Sequence, residues 1–241
     1  MQRHVPVRIV GDGVLSKIAE SRPQVERLIY RAPQEGRDYW VLDDVLADPD
    51  GVRQRLLARS DWVLGAPHRP ETWPGMRTQP ALSPAELLPI ESWFLKQSGR
   101  KRILPVVPAL GGQFNHNCAQ LVSAREGQIR PHTDARSLCT HAAVLFLSPN
   151  APSFSGTSFY RVRMPDGSLG GNVIPSKFNN LVEAFGTRFV PPNLFVEEFR
   201  VEPKYNRLVV FKSDRIHSAS GYFGEALEER RLTLVFFWMA R

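Results

Sequence analysis

Arg231-Leu232-Thr233-Leu234-Val235-Phe236-Phe237-Trp238 reads as an extended segment whose two faces differ. Successive side chains of a strand point to opposite sides. Arg231 and Thr233 therefore share one face with Val235 and Phe237, while Arg230 faces outward. Moving back along the chain, short apolar or alternating segments recur at 207–211, 195–201, 157–163, 140–148 and 114–122, with turn residues between them. Many short strands at this spacing indicate a sandwich or a barrel. A polar insertion at about 165–193 interrupts them, with a short helix expected around 177–185.

Upstream of residue 104 the character is different. Residues 38–46 read as a strand followed by a turn. Asp48-Pro49 supplies a helix N-cap and first helical position, and Val52, Leu56 and Leu57 follow at helical spacing. Residues 62–82 are rich in Pro, Gly and Trp and read as an ordered loop centred on Trp73-Pro74-Gly75. Ser83-Pro84-Ala85-Glu86 is a capping-box pattern, opening a helix that Pro89 breaks or restarts and Gly99 ends. The expected fold class is mostly β with flanking helices (α+β). The expected organisation is one domain over 1–241, with 1–103 a largely helical N-terminal elaboration covering one outer face and 104–241 the β core.

Composition narrows the classes. A chain of 241 residues that is 42% hydrophobic and 23% charged has the make-up of a globular domain with a sizeable core. No apolar run approaches the roughly 20 residues of a membrane span. The opening residues lack the apolar core and cleavage site of a secretory signal. Two cysteines, Cys118 and Cys139, make no disulfide framework, so a reduced, cytoplasmic setting is expected and both read as buried small residues. The net charge of +7 raises nucleic acid as a partner. The basic residues are scattered, however, without a run, which favours a solvated surface that attracts an anionic substrate or cofactor. Gly11-Asp12-Gly13 reads as a turn, and Trp40, Trp62, Trp73, Trp93 and Trp238 as core. His116 and His141 read as core or strand residues, and Arg136 as a rim salt bridge or a substrate contact.

The chemistry centres on Pro131-His132-Thr133-Asp134. In extended chain His132 and Asp134 project together while Thr133 turns away. An imidazole nitrogen and a carboxylate oxygen can then occupy adjacent positions on a metal. Two histidines and one carboxylate on one octahedral face leave three positions open, the arrangement of non-haem iron oxygenases. The tripeptide alone is a weak signal. His217 strengthens it: it follows the apolar segment 207–211 and lies 83 residues after Asp134, room for several strands to return the chain. Arg231, fourteen residues beyond His217, offers an always-charged fork for a carboxylate, with the Thr233 hydroxyl beside it.

The order of these pieces resembles the 2-oxoglutarate/iron(II)-dependent oxygenase superfamily, its prolyl-hydroxylase-like branch in particular. More narrowly, Trp73-Pro74-Gly75-Met76-Arg77, Pro131-His132-Thr133-Asp134, Gly156-Thr157-Ser158-Phe159-Tyr160-Arg161, Tyr205-Asn206-Arg207-Leu208-Val209-Val210-Phe211, His217-Ser218-Ala219 and Arg231-Leu232-Thr233 resemble a little-characterised bacterial family of that type, over roughly residues 38–238. The resemblance implies a double-stranded β-helix (jelly-roll, cupin-like) core with iron(II) at its open end. It implies His132, Asp134 and His217 as metal ligands, Arg231 or its neighbour Arg230 as the 2-oxoglutarate anchor, and Gln120 as a polar neighbour of the oxo acid. Dioxygen is the third reactant. Halogenating relatives replace the aspartate with a small residue, so Asp134 implies a hydroxylase. The substrate class is a free amino acid, a peptide or protein side chain, or a small metabolite, with specificity expected in 62–82 and 165–193. Two rivals use the same sequence: a cupin-like metalloprotein that does not use 2-oxoglutarate, and a non-catalytic jelly-roll binding module. The first predicts that Arg231→Ala changes little, the second that His132→Ala leaves ligand binding intact.

Overall fold

The computed structural model describes residues 22–64, 74–104 and 116–241. Gly11-Asp12-Gly13, Trp73, residues 65–73 of the expected loop and residues 114–115 of an expected strand lie outside the described residues.

The strands read from alternation are all present: β1 (Tyr39–Leu42), β5 (Asn117–Val122), β6 (His141–Phe146), β7 (Thr157–Val162), β8 (Phe195–Val201), β9 (Arg207–Lys212) and β11 (Arg231–Ala240). Four shorter ones join them: β2 (Val63–Leu64), β3 (Met76–Thr78), β4 (Ile103–Leu104) and β10 (His217–Ala219). The main sheet runs β1-β9-β6-β11-β5-β3-β2, with β4 also on β11, and a second sheet runs β10-β7-β8; every strand pairing is antiparallel.

Alternation along β11 sorts the layers. Leu232, Leu234, Phe236 and Trp238 join a core shared with Val52 and Leu56 of α1 (Pro49–Leu57) and Ile90 and Phe94 of α2 (Pro84–Ser98). Trp238 stacks on Phe94 at 4.8 Å between ring centroids. Full burial of side chains of this size stabilises by about 1.5–3 kcal/mol each. On the other face, Phe237 meets Ala142, Val209 and Phe211 of the main sheet and Phe159 and Val201 of the second. A third cluster covers the outside of the second sheet, where Leu181, Ala184 and Phe185 of α3 (Leu181–Phe185) pack with Val25, Leu28 and Val162. The result is a mixed α+β fold dominated by antiparallel sheet, two sheets face to face as in a jelly roll, with short helices outside.

Three local expectations need correcting. Residues 62–82 are not loop throughout, because β2 and β3 lie within them. Gly75, at φ +70°, brings its backbone against the Leu121 carbonyl so that β3 can pair with β5; an added Cβ would stand 2.2 Å from that oxygen. Pro89 does not break α2. Proline removes one intrahelical bond, but Pro89 and Ala85 are both exposed, so water can satisfy the Ala85 carbonyl. The helix in the insertion begins at Leu181, where the Asn180 side chain accepts the Glu183 N–H at 3.0 Å. The other ends are as read: Asp48 caps α1, Ser83 and Glu86 form the capping box of α2, and Gly99 at φ +67° closes it. Residues 22–104 thus supply α1 and α2 and also four strands built into the main sheet. Among the described residues, no helix is long and apolar enough to cross a membrane.

Candidate metal centre

His132, Asp134 and His217 converge because backbone hydrogen bonds pin three segments together. The His132 N–H donates to the His217 carbonyl and the His217 N–H to the His132 carbonyl, both at 2.9 Å. The Asp134 N–H donates to the Ser213 carbonyl at 3.1 Å. Thr133 turns away, as the alternation requires, and its Oγ1 accepts the Leu181 N–H at 2.9 Å, which ties α3 to the same segment. Ligand-type atoms of the three side chains lie within 4.8 Å of one another, the one such grouping of three or more among the described residues.

Hydrogen bonds fix the imidazole tautomers. His132 Nδ1 lies 2.8 Å from the Arg130 carbonyl and His217 Nδ1 2.9 Å from the Arg215 carbonyl. A carbonyl only accepts, so each Nδ1 carries a proton, and in the neutral imidazole each Nε2 then presents its lone pair. Those atoms face the aspartate: His132 Nε2 is 3.9 Å from Asp134 Oδ1, and His217 Nε2 is 3.5 Å from Asp134 Oδ2. Burial, with the His132 charge, holds the His217 pKa well below its ordinary value. Burial also raises the Asp134 carboxyl to about 6, opposed by His132 and Arg77. With both imidazoles neutral, as metal binding requires, two lone pairs face the Asp134 carboxyl, whose Oδ2 is buried with no hydrogen-bond partner. Acceptors facing acceptors are unfavourable unless a cation lies between them. Neighbouring ligands of an octahedral metal stand about 3 Å apart at metal–ligand distances of ~2.1 Å, so small side-chain rotations suffice. The donor set of two imidazoles and a carboxylate fits iron(II).

The second half of the site lies across the main sheet. The pairings β3–β5 and β5–β11 put Arg77, Gln120 and Thr233 in one row, with Phe146 of β6 next to Thr233. Arg231 stands two residues along on the same face and is only 4% exposed. Its Nε donates to the Ser155 carbonyl at 3.1 Å and its Nη1 to Thr233 Oγ1 at 3.4 Å. The guanidinium lies 5.7 Å from the ring centroids of both Phe146 and Tyr222. Burial lowers its pKa to about 10, which leaves it charged at neutral pH. Among the described residues no carboxylate lies within 4 Å of it. A buried cation without an anion is costly, and an anionic ligand would remove that cost. Gln120 is buried and its Nε2 donates to the Pro74 carbonyl at 3.2 Å, which keeps its Oε1 as an acceptor. Arg230 points the other way, 3.3 Å from Glu126 at the surface.

Two site residues escape the sequence reading. Arg77 is buried at the end of the polar row, close enough to Asp134 to oppose the rise in its pKa. Tyr222 sits between charges: burial raises its phenol pKa, and Arg231, Arg77 and Arg130 oppose the rise. Its ring fills the place where a Cβ of Gly127 would stand. The signal for Arg77 was its place in the Pro74-Gly75-Met76-Arg77 stretch; nothing local marks Tyr222. Arg136 is the rim salt bridge, 3.1 Å from Asp214. His116 meets Glu91 at 3.3 Å, and although burial pulls its pKa down, Glu91 and the Phe237 carbonyl raise it overall. Cys118 and Cys139 are buried and free.

A family model described as "Family of unknown function (DUF6445)" matches residues 23–237. The chain belongs to that family. Comparison with curated proteins finds no match. Among solved structures, this DUF6445 chain is similar to a Pseudomonas putida prolyl-4-hydroxylase, with 18% identity and a TM-score of 0.45, covering 85% of this chain and 93% of that one. A second is a prolyl hydroxylase from Trichoplax adhaerens, solved with a hypoxia inducible factor oxygen degradation domain peptide fragment: 10% identity, TM-score 0.46, 84% of this chain and 83% of that one. A third is the non-heme alpha ketoglutarate dependent epimerase SnoN from nogalamycin biosynthesis: 15% identity, TM-score 0.47, 95% of this chain and 84% of that one.

Proposed function

We propose that this chain is a 2-oxoglutarate- and iron(II)-dependent oxygenase that hydroxylates a C–H bond of an amino acid, a peptide or protein side chain, or a small metabolite. The observation that carries the reading is a pairing within one inner layer: three metal-type ligands whose lone pairs converge, and a buried guanidinium with no carboxylate beside it. His132 and His217 would hold iron(II) through Nε2, and Asp134 through a carboxylate oxygen. Arg231 would receive the distal carboxylate of 2-oxoglutarate. Thr233 Oγ1 accepts from Arg231, so its own O–H is available to donate to that carboxylate. Gln120 lies level with Thr233 across the β5–β11 pair, beside the oxo acid in this reading.

Iron(II), 2-oxoglutarate and dioxygen together supply an oxidative decarboxylation, yielding succinate and carbon dioxide, coupled to hydroxylation of the substrate. The chain's own contribution is positioning and exclusion of water. The carbonyls of Arg130 and Arg215 lock the two imidazoles in the ligating tautomer. Phe211, 4.4 Å from the His217 ring, closes the apolar side of the site. Retention of Asp134 favours hydroxylation over halogenation. A cytoplasmic setting fits two unpaired, buried cysteines.

The test is succinate release with iron(II), ascorbate and 2-oxoglutarate, followed while candidate substrates are screened. The expected result is succinate formation that depends on all three metal ligands, rises with the right substrate, and falls sharply in Arg231→Ala. Unchanged turnover in Arg231→Ala would instead favour a metalloenzyme that does not use 2-oxoglutarate.

A further inference from the structure

The metal centre opens to solvent on one side. The His132 side chain is 37% exposed, against 8% for His217 and 9% for Asp134. Arg130 stands at that mouth. It precedes Pro131, whose ring disfavours helical backbone in the residue before it and so keeps Arg130 extended. Alternation then turns its side chain to the face shared by His132 and Asp134, one step further out. Exposure rises along this row, from buried Asp134 through half-buried His132 to exposed Arg130. The Arg130 backbone is fixed at both ends: its N–H donates to Ser218 Oγ at 3.0 Å and its carbonyl accepts from His132 Nδ1. Its guanidinium, by contrast, has neither an ion pair nor a hydrogen bond among the described residues. The carboxylates of the adjoining loops are engaged elsewhere, Glu126 at 3.3 Å from Arg230 and Glu225 at 3.3 Å from Arg125.

Tyr222 reaches the same mouth from the segment before β11. Its ring packs on Gly127, three residues before Arg130, and its centroid lies 5.7 Å from the Arg231 guanidinium. Arg231, Arg77 and Arg130 all act on the phenol electrostatically, so the hydroxyl lies within reach of the arginine at the mouth as well as of the two inside. Burial nevertheless holds the phenol pKa above its ordinary value, and the hydroxyl keeps its proton at neutral pH. It makes no hydrogen bond among the described residues. A guanidinium fork and an O–H donor thus stand together beside the metal ligands, without an acceptor between them.

We propose that Arg130 and the Tyr222 hydroxyl receive a carboxylate of the primary substrate at the mouth of the metal centre. This rests on the oxygenase reading, in which 2-oxoglutarate takes Arg231, and it narrows the substrate class to carboxylate-bearing compounds. A carboxylate is the anionic group that amino acids, peptides and acidic metabolites share, and the Arg fork matches it bidentately. The carboxylate sits at the outer end, so the rest of the substrate extends inward past His132 toward the metal.

The test is proton relaxation of hexanoate and of hexanamide by manganese(II) bound to the full chain with saturating 2-oxoglutarate. Manganese(II) accepts nitrogen and oxygen donors and relaxes nearby protons. Hexanoate spans about the 7 Å between strand residues two apart. His132→Ala, which removes a metal ligand, is the blank. The expected result is relaxation of hexanoate that is strongest at its methyl end and about fivefold weaker for hexanamide. Arg130→Gln should weaken hexanoate binding about fivefold and Tyr222→Phe should weaken it less. The Arg130 side chain is exposed and the variant keeps the backbone carbonyl that holds His132, so it should fold. Equal relaxation of acid and amide, no relaxation of hexanoate, strongest relaxation beside the carboxylate, or a hexanoate response unaltered in Arg130→Gln each overturns the proposal. Relaxation of the 2-oxoglutarate protons in the same samples reports on the oxygenase reading separately.

Discussion

Asp134 is held in a place that suits a metal better than it suits an empty site. Burial raises its carboxyl from 3.8 to about 6. Because the folded state holds that proton more tightly than the unfolded chain, this group stabilises the metal-free protein fully below about pH 4. That contribution is lost as pH rises through about 6. Metal binding displaces the proton, so the rise in melting temperature on adding a divalent metal should grow over the same window. Melts with and without metal between pH 4 and 8 check this. Asp134→Asn should flatten the pH dependence and abolish the metal-induced rise. A second buried carboxylate behaves in the opposite sense. Burial pushes the Asp38 pKa up, but the Arg37 hydrogen bond and the charges of Arg215 and Lys212 bring it down overall. Arg215 is 1% exposed and 3.2 Å from Asp38. Arg215→Met leaves that buried charge under-compensated and should cost about 3 kcal/mol in denaturant unfolding.

At the scale of elements, the short strand β3 carries Arg77 into the site, and its position depends on Gly75. Ala at 75 meets the Leu121 carbonyl and is strained at φ +70°. Gly75→Ala should therefore displace β3 and weaken 2-oxoglutarate binding more than metal binding, measured by titrating each separately. α3 depends on the metal segment through Thr133. Thr133→Val removes the acceptor of the buried Leu181 N–H and should destabilise by about 1–3 kcal/mol. Legibility in the sequence differs sharply among these elements. β11 was readable because Arg231 and Thr233 alternate with apolar residues over a long strand. His132 and Asp134 were readable because the spacing of a ligand pair is local. β3 was not, since three residues show no period and its neighbours looked like loop. Pro89 misled because proline's cost in a helix depends on the exposure of one carbonyl. Tyr222 enters the site through contacts between distant segments that leave no local pattern.

For the whole molecule, the two-sheet architecture was legible because every main strand is buried on at least one face and so carries its alternation into the sequence. Residues 1–103 read as largely helical from the sequence, yet the short strands among the described residues 22–104 extend the sheet and complete the polar row Arg77–Gln120–Thr233. The fold thus places His132, Asp134, His217 and Arg231 in one inner layer, and in the proposed function they form a single 2-oxoglutarate site. Anaerobic calorimetric binding of 2-oxoglutarate, with and without iron(II), tests that directly and needs no substrate. The expected result is binding that requires iron(II), is lost in His217→Ala, and weakens at least about thirtyfold in Arg231→Ala. Iron(II) binding without any 2-oxoglutarate binding, or 2-oxoglutarate binding indifferent to both iron(II) and Arg231, would contradict it.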